Sequence, residues 1–228
     1  MGRVGPSMSA QGMANTLWSI SALAATRSLP LPACYPSLWR QAHGLEVGSV
    51  KDVHLRMMYH AYLILTELVG GEVLDEVTFP PWITHEAQEA WMRNVRDDVT
   101  ESSWVTEATS IIRDLGVRCE VERLTDDKCF SVDVFLPDHN LAIEFDGPTH
   151  FINASDGGEG GAPGDASGTT RTTKTELRDM FLRLRYRTVV CVPWFEWHEM
   201  RGSAEKKDKR AYVVAKLSDA GVTVPAST

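Results

Sequence analysis

One stretch constrains the chain more than any other: Ser131–His150, SVDVFLPDHNLAIEFDGPTH. Two short apolar runs, VDVFL and LAIEF, flank Pro137-Asp138-His139-Asn140. Proline fixes φ, Asp bonds the backbone through its side chain and Asn tolerates the left-handed region, so these residues make a turn. β-Branched and aromatic residues alternate on both sides, which makes the whole a hairpin. With a two-residue loop, Leu136 pairs with Leu141, and counting outward sets Asp133 opposite Glu144. Asp146 lies two residues beyond Glu144 and therefore on the same face. Three carboxylates then share one side of two adjacent strands.

Like charges directly across a ladder are destabilising. Neighbouring carboxylates also raise one another's pKa unless a cation offsets them. A metal ion, or a Lys or Arg from elsewhere, is expected near this face. The alternative is a solvated outer face whose acids never converge, since charged faces are common on antiparallel sheets. Gly147-Pro148 breaks the second strand and leaves His150 at its end.

These residues carry a resemblance. VDVFLP, IEFDGPTHF, Lys174 and Leu177 on a helix, LRYRTVVCVPWFEW, then Tyr212 and Leu217 resemble the RAP domain. That family is an RNA-associated module at the C-terminus of many organellar RNA-metabolism proteins. The resemblance spans roughly the last hundred residues. It implies a restriction-endonuclease-like fold, similar to very-short-patch repair endonucleases. Those nucleases set a metal-binding Asp on one strand and Glu-x-Lys on the next. Here Asp146 occupies the lysine position of that pattern, a departure that bears on nuclease activity.

The chain has 228 residues, a formal charge of −8 and 43% apolar residues, enough for one or two domains with a sizeable core. No run of eighteen apolar residues exists, so no membrane span is expected. The four cysteines, Cys34, Cys119, Cys129 and Cys191, form no Cys-x-x-Cys pair, and no His-Glu-x-x-His occurs, which argues against structural zinc or a disulfide framework. Cys119 and Cys191 read as buried thiols in apolar runs. Charge is unevenly spread. From Arg171 onward twelve Lys and Arg face seven Asp and Glu, a net of +5, leaving −13 for the remainder. Such asymmetry permits a phosphate-binding surface on an acidic protein.

The first forty-five residues hold no Asp or Glu and only Arg3, Arg27 and Arg40 as charges. That composition is compatible with an organellar transit peptide. A second reading fits better. Gln11–Leu23 resembles the helix of an octatricopeptide repeat, with Ala14-Asn15-Thr16-Leu17-Trp18 intact and Ala10 in place of the usual Pro. Met13, Leu17, Ile20 and Leu23 form its apolar stripe. Leu29–Pro36 reads as a connector. Ser49 is expected to cap a helix from about Val50 to Val69 that closes at Gly70-Gly71, with Leu55, Met58, Tyr62 and Leu65 inward. After Pro80-Pro81, Thr84 begins a helix carrying Ala87, Trp91 and Val95.

Ser102 or Ser103 opens a further helix that ends at Gly116, and Val117–Leu124 alternates as a strand before the central hairpin. Asn153–Thr170 holds six glycines among Ala, Ser, Asp and Pro and is expected to be a disordered insertion. Thr173 and Glu176 form a capping box for a helix with Leu177, Met180, Phe181 and Leu184 inward. Thr188–Val192 reads as a central strand. Glu205–Ala220 is a last helix with Tyr212, Val213 and Leu217 inward and Lys206, Lys207, Lys209 and Arg210 outward.

The fold expected is α+β. A helical, repeat-like region over residues 1–100 precedes a restriction-endonuclease-like α/β domain over 101–228, with the glycine-rich insertion at 153–170. The function expected, by resemblance, is RNA binding in chloroplast or mitochondrial transcript processing, stability or translation. The partners would be RNA, in single-stranded form, and organellar ribonucleoproteins. Lys174, Arg178, Lys206, Lys207, Lys209 and Arg210 would meet phosphate, and Trp194 and Trp197 would stack on bases. The rival is a metal-dependent endoribonuclease. In it Asp133, Glu144 and Asp146 would hold Mg or Mn, with His150 or Lys174 assisting proton transfer or neutralising charge. A third reading is a scaffold that docks a protein through the Trp194–Trp197 surface.

Overall fold

A computed structural model describes residues 8–71, 73–97, 102–153, 169–200 and 205–224. The chain divides into two compact units, Met1–Asp97 and Asp98–Thr228.

The described part of the first unit is helical. Helix α1 (Ala10–Arg27) opens at Ser9, whose Oγ accepts from Gly12 N at 3.1 Å, and closes at Ser28 in the left-handed region. Its buried face runs through Met13, Ala14, Leu17, Ser21 and Ala24, while Leu23, expected inward, is 48% exposed. The connector expected before Pro36 is shorter than its prolines suggest. Helix α2 (Tyr35–Ala42) begins at Tyr35 with Pro36 in its first turn, where a missing N–H costs nothing. Tyr35 and Trp39 are fully buried.

Helix α3 (Asp52–Leu63) continues as a π-helical turn, Ile64–Val69, and stops at Gly70, whose φ of +60 and ψ of −154 suit glycine. Ser49 does not cap it. Its Oγ donates to Glu46 O inside a separate 3-10 turn, Val47–Ser49. Helix α4 (Val73–Glu76) is one turn. Helix α5 (Glu86–Asp97) starts two residues later than Thr84, which belongs to the 3-10 turn Pro81–Thr84. α3 packs on both α1 and α5, and Trp18 Nε1 donates to His60 Nδ1 at 3.0 Å.

The second unit is α+β. Helix α6 (Ser103–Asp114) is capped by Ser102, whose Oγ accepts from Val105 N at 3.3 Å. Strands β1 (Glu120–Leu124), β2 (Ser131–Leu136) and β3 (Leu141–Asp146) follow. A small hairpin, β4 (Phe151–Asn153) and β5 (Thr169–Arg171), leads to helix α7 (Thr173–Arg185). Strand β6 (Thr188–Pro193), helix α8 (Trp194–Glu199) and helix α9 (Glu205–Asp219) complete the described fold. The sheet order is β1-β2-β3-β6, antiparallel from β1 to β3, with β6 parallel to β3. A parallel return needs a crossover, and α7 supplies it. β6, expected central, therefore stands at an end of the sheet order. Its unbroken apolar run reflects helices above and below it.

Side-chain alternation gives the sheet two unlike faces. On one face Val134, Leu136, Leu141, Ile143 and Val192 form a core with Val105, Ala108 and Ile112 of α6, Trp197 of α8, and Val213 and Leu217 of α9. The other face lies under α7. There Leu177, Phe181 and Leu182 are buried, while Leu184, expected inward, is 58% exposed. The cap of α7 is Thr172 rather than Thr173, its Oγ1 accepting from Thr175 N at 3.3 Å.

The ends of the expected insertion, Asn153 and Thr169-Thr170, pair as strands, and residues 154–168 lie outside the described residues. Cys191 and Cys119 are half-buried, and the buried thiol is Cys129.

Candidate functional site

The site begins where β2 and β3 part. Leu136 pairs with Leu141, Phe135 with Ala142 and Val134 with Ile143. The loop that sets this register has four residues, not two: the 3-10 turn Pro137–His139, then Asn140 in the left-handed region at φ 48. One step outward, side chains take over from the ladder. Asp133 N donates to Glu144 Oε1 at 3.3 Å, and Phe145 N donates to Asp133 Oδ2 at 2.6 Å. On the far side of β2, Glu122 stands between the pairs Val121–Val134 and Arg123–Val132 with φ at +51. A non-glycine residue at positive φ is uncommon, and such conformations gather at functional sites.

The carboxylates expected to share a face do meet, and arginines meet them. Arg178 of α7 bonds Glu144 Oε2 at 2.5 Å and Ser131 O at 2.8 Å. Arg171 at the end of β5 bonds Asp146 Oδ2 at 2.5 Å and pairs with Asp179 of α7. His150 Nδ1 stands 2.9 Å from Asp146 Oδ1, close enough for an ion pair if protonated but not aligned as a hydrogen bond. Cys191 of β6 completes the row, its thiol 3.5 Å from Asp179 Oδ2 and 3.6 Å from Arg171 Nη1.

Burial sets the electrostatics. It lifts the Glu144 carboxyl well above the ordinary carboxylate range; Arg178 opposes the lift, and Asp133 and Asp146 add to it. Asp133 is raised by burial too, against the pull of Phe145 N–H and Arg178. Burial, with Asp179 beside it, pushes the Cys191 thiol up to about 12, so it is a poor nucleophile.

This geometry revises several expectations. Among the described residues, no three His, Cys, Asp or Glu side chains group to hold a metal ion. The expected Asp133, Glu144 and Asp146 set is instead divided between two guanidinium groups and a backbone N–H, so Mg or Mn finds no ready cage of carboxylates. Lys174 does not reach the cluster. It is exposed on the first turn of α7, and Arg171 and Arg178 are the cations that arrive. Arg178 is therefore engaged with the protein rather than turned out toward phosphate.

Trp197 is 2% exposed, edge-on to Phe145 and Tyr212, and cannot stack on a base. Lys209 is 6% exposed, pairs with Glu107 at 2.7 Å and lies over the Trp197 ring, so it faces inward. Arg210 and Trp194 are half-buried. The side chains of Lys206 and Lys207 lie outside the described residues.

Arg171, Asp179 and Cys191 were missed as members of the site. A signal for them existed: three acids on buried strands require cations, and the nearest arginine C-terminal to the hairpin is Arg171.

A family model for the RAP domain matches residues 143–216, from the middle of β3 into α9. The match takes in Glu144, Asp146, His150, Arg171, Arg178 and Asp179, whereas Asp133 lies before it. None of the curated proteins matches the chain. A RAP domain points to a nucleic-acid-binding role.

Proposed function

We propose that the protein binds RNA through its second unit and acts in the processing, stability or translation of chloroplast or mitochondrial transcripts. The observation that carries the reading is the RAP match across the segment that builds the carboxylate–arginine site. The organellar setting rests on the kinship of IEFDGPTHF and its flanking motifs with that family. Helix α1, with its octatricopeptide-like Ala14–Trp18 run, would supply a repeat-like element alongside. The site geometry favours binding over metal-dependent cleavage. Arg178 and Arg171 offset part of the acids' charge from within, which lowers their repulsion of phosphate and leaves the carboxylates already engaged.

The test is filter binding of the full chain to labelled RNA across a salt series, in EDTA and then in magnesium or manganese. Binding in EDTA, with intact RNA in both metals, is expected. Charge reversal of Lys174, Lys206, Lys207 and Arg210 should weaken binding to all sequences alike and lower the log–log salt slope by roughly 0.7 per lost phosphate contact. Metal-dependent cleavage that disappears in Glu144→Gln would replace the proposal with a nuclease.

A further inference from the structure

Five rings run in contact along one side of the second unit. Phe151 of β4 lies 5.5 Å from Phe195, Phe195 lies 6.1 Å from Trp194, Trp194 lies 5.7 Å from His198, and His198 lies 4.7 Å from Trp104 in the first turn of α6. Each contact is edge-to-face, the arrangement that ring quadrupoles favour. All five residues are half-buried, and Trp104 also packs against the apolar core. His198 is further fixed by its Nδ1, 3.1 Å from Trp194 O. Helix α8 sorts its residues sharply. Trp197 and Glu196 turn inward, toward Tyr212 and Lys216, while Trp194, Phe195 and His198 turn to the strip.

One end of the strip lies beside basic residues. Phe151 follows His150 and pairs across the small hairpin with Arg171, and exposed Lys174 begins the helix that leaves it. Behind this corner Arg171 pairs with Asp146 and Asp179 and Arg178 with Glu144, and Lys216 pairs with Glu196 at 3.0 Å. Glu199 is the exposed acid of α8.

We infer that this strip is a stacking platform for the unpaired bases of single-stranded RNA, an inference that rests on the RNA-binding reading above. Every base has a π-face, so the platform tolerates sequence and rejects duplex, whose bases are already stacked. Rings held in place by one another lose little freedom on binding.

The experiment measures fluorescence anisotropy of the full chain with a labelled oligouridylate of about twelve nucleotides, and with a duplex of the same length. The variants are Trp194→Leu and Phe195→Leu, which keep apolar bulk and remove the ring, with melting curves to show that they fold. Tighter binding to the single strand is expected, with a roughly five- to hundredfold loss in each variant. The salt slope should not change, because stacking releases no counterion. A second measurement needs no variant: photocrosslinks from 4-thiouridine RNA to the native chain should map to the peptides holding Trp104, Phe151, Trp194 and Phe195. Equal affinity for duplex, unchanged affinity in both variants, or crosslinks confined elsewhere would overturn the platform while leaving RNA binding intact. The strip would then be free for a protein partner. If the wild-type chain binds no RNA at all, the broader reading fails and this inference with it.

Discussion

On one face of the C-terminal sheet, Val134, Leu136, Leu141, Ile143 and Val192 meet α6, α8 and α9 through hydrocarbon. On the other, Asp133, Glu144, Asp146 and Cys191 meet Arg171, Arg178 and Asp179. The two faces are built by alternate residues of the same strands, yet they hold their helices by different physics. Apolar contact is non-directional and scales with area. Ion pairs to carboxylates are directional, and inside a protein their net contribution is small until one partner is lost. The charged face therefore fixes how α7 sits more than it adds to stability. It also hides from solvent the acids that would otherwise repel a phosphate chain.

The largest effect expected from breaking this comparison comes from Arg178→Met. It strands Glu144, whose side chain is 3% exposed, without its guanidinium. A loss of about 3 kcal/mol is expected, at the low end for a buried pair because Arg178 is itself partly exposed. Adding Glu144→Gln should recover much of that loss in urea unfolding. A cost no larger than that of a surface change would mean that the pair contributes only geometry.

The second prediction is a pH dependence. The folded-state pKa of Glu144 is raised above 4.5, so above that pH the native state still holds a proton that the unfolded chain has released. Stability then falls as pH rises from about 4.5 through the folded pKa, by at most about 1.4 kcal/mol per pH unit, and levels off beyond it. Asp133 shifts in the same direction. Subtracting the unfolding profile of Glu144→Gln from that of the wild type isolates the slope. A flat difference would show that Arg178 compensates Glu144 completely.

On the apolar face, Ile112→Val should cost about 1 kcal/mol. That cost should be the same at low and high salt and across the same pH range, which urea titrations at two ionic strengths would show. Salt sensitivity there would blur the contrast between the faces. The smallest effect is at Leu184, exposed on the outer side of α7: Leu184→Lys should change stability by no more than about 0.5 kcal/mol. A larger loss would place Leu184 in a contact absent from the described residues.

Much of the second unit was legible in local pattern. Period-two alternation gave both strands of the hairpin, and the register Leu136–Leu141 followed from their ends even though the loop is longer than expected. Ser102 and Gly116 marked the limits of α6 because cap and stop residues act locally. Other boundaries shifted where competing local chemistry won. Ser49 spent its hydroxyl on Glu46, and Pro36 opened a helix rather than ending a connector. Leu184 is exposed and Leu182 buried because a helix buries an arc of side chains, and which arc is decided by what the helix packs against.

What the sequence determined by itself was composition along the chain: the acids on alternate positions of two strands, the aromatic run after β6 and the turn residues between elements. Those features depend on neighbours a few residues apart, and backbone geometry converts them directly into faces. Tertiary structure decided which cation answers which acid. Arg171 is twenty-five residues from Asp146, and Arg178 reaches Glu144 across the crossover that lays α7 on the sheet. It also decided which of two tryptophans on one short helix is core and which is surface. Trp194 and Trp197 are three residues apart with similar surroundings in sequence, and the packing of the sheet, α6 and α9 around Trp197 buries one and leaves the other beside Phe195 and His198. Contacts between distant residues are set by the closing of the whole fold, and no local pattern encodes them.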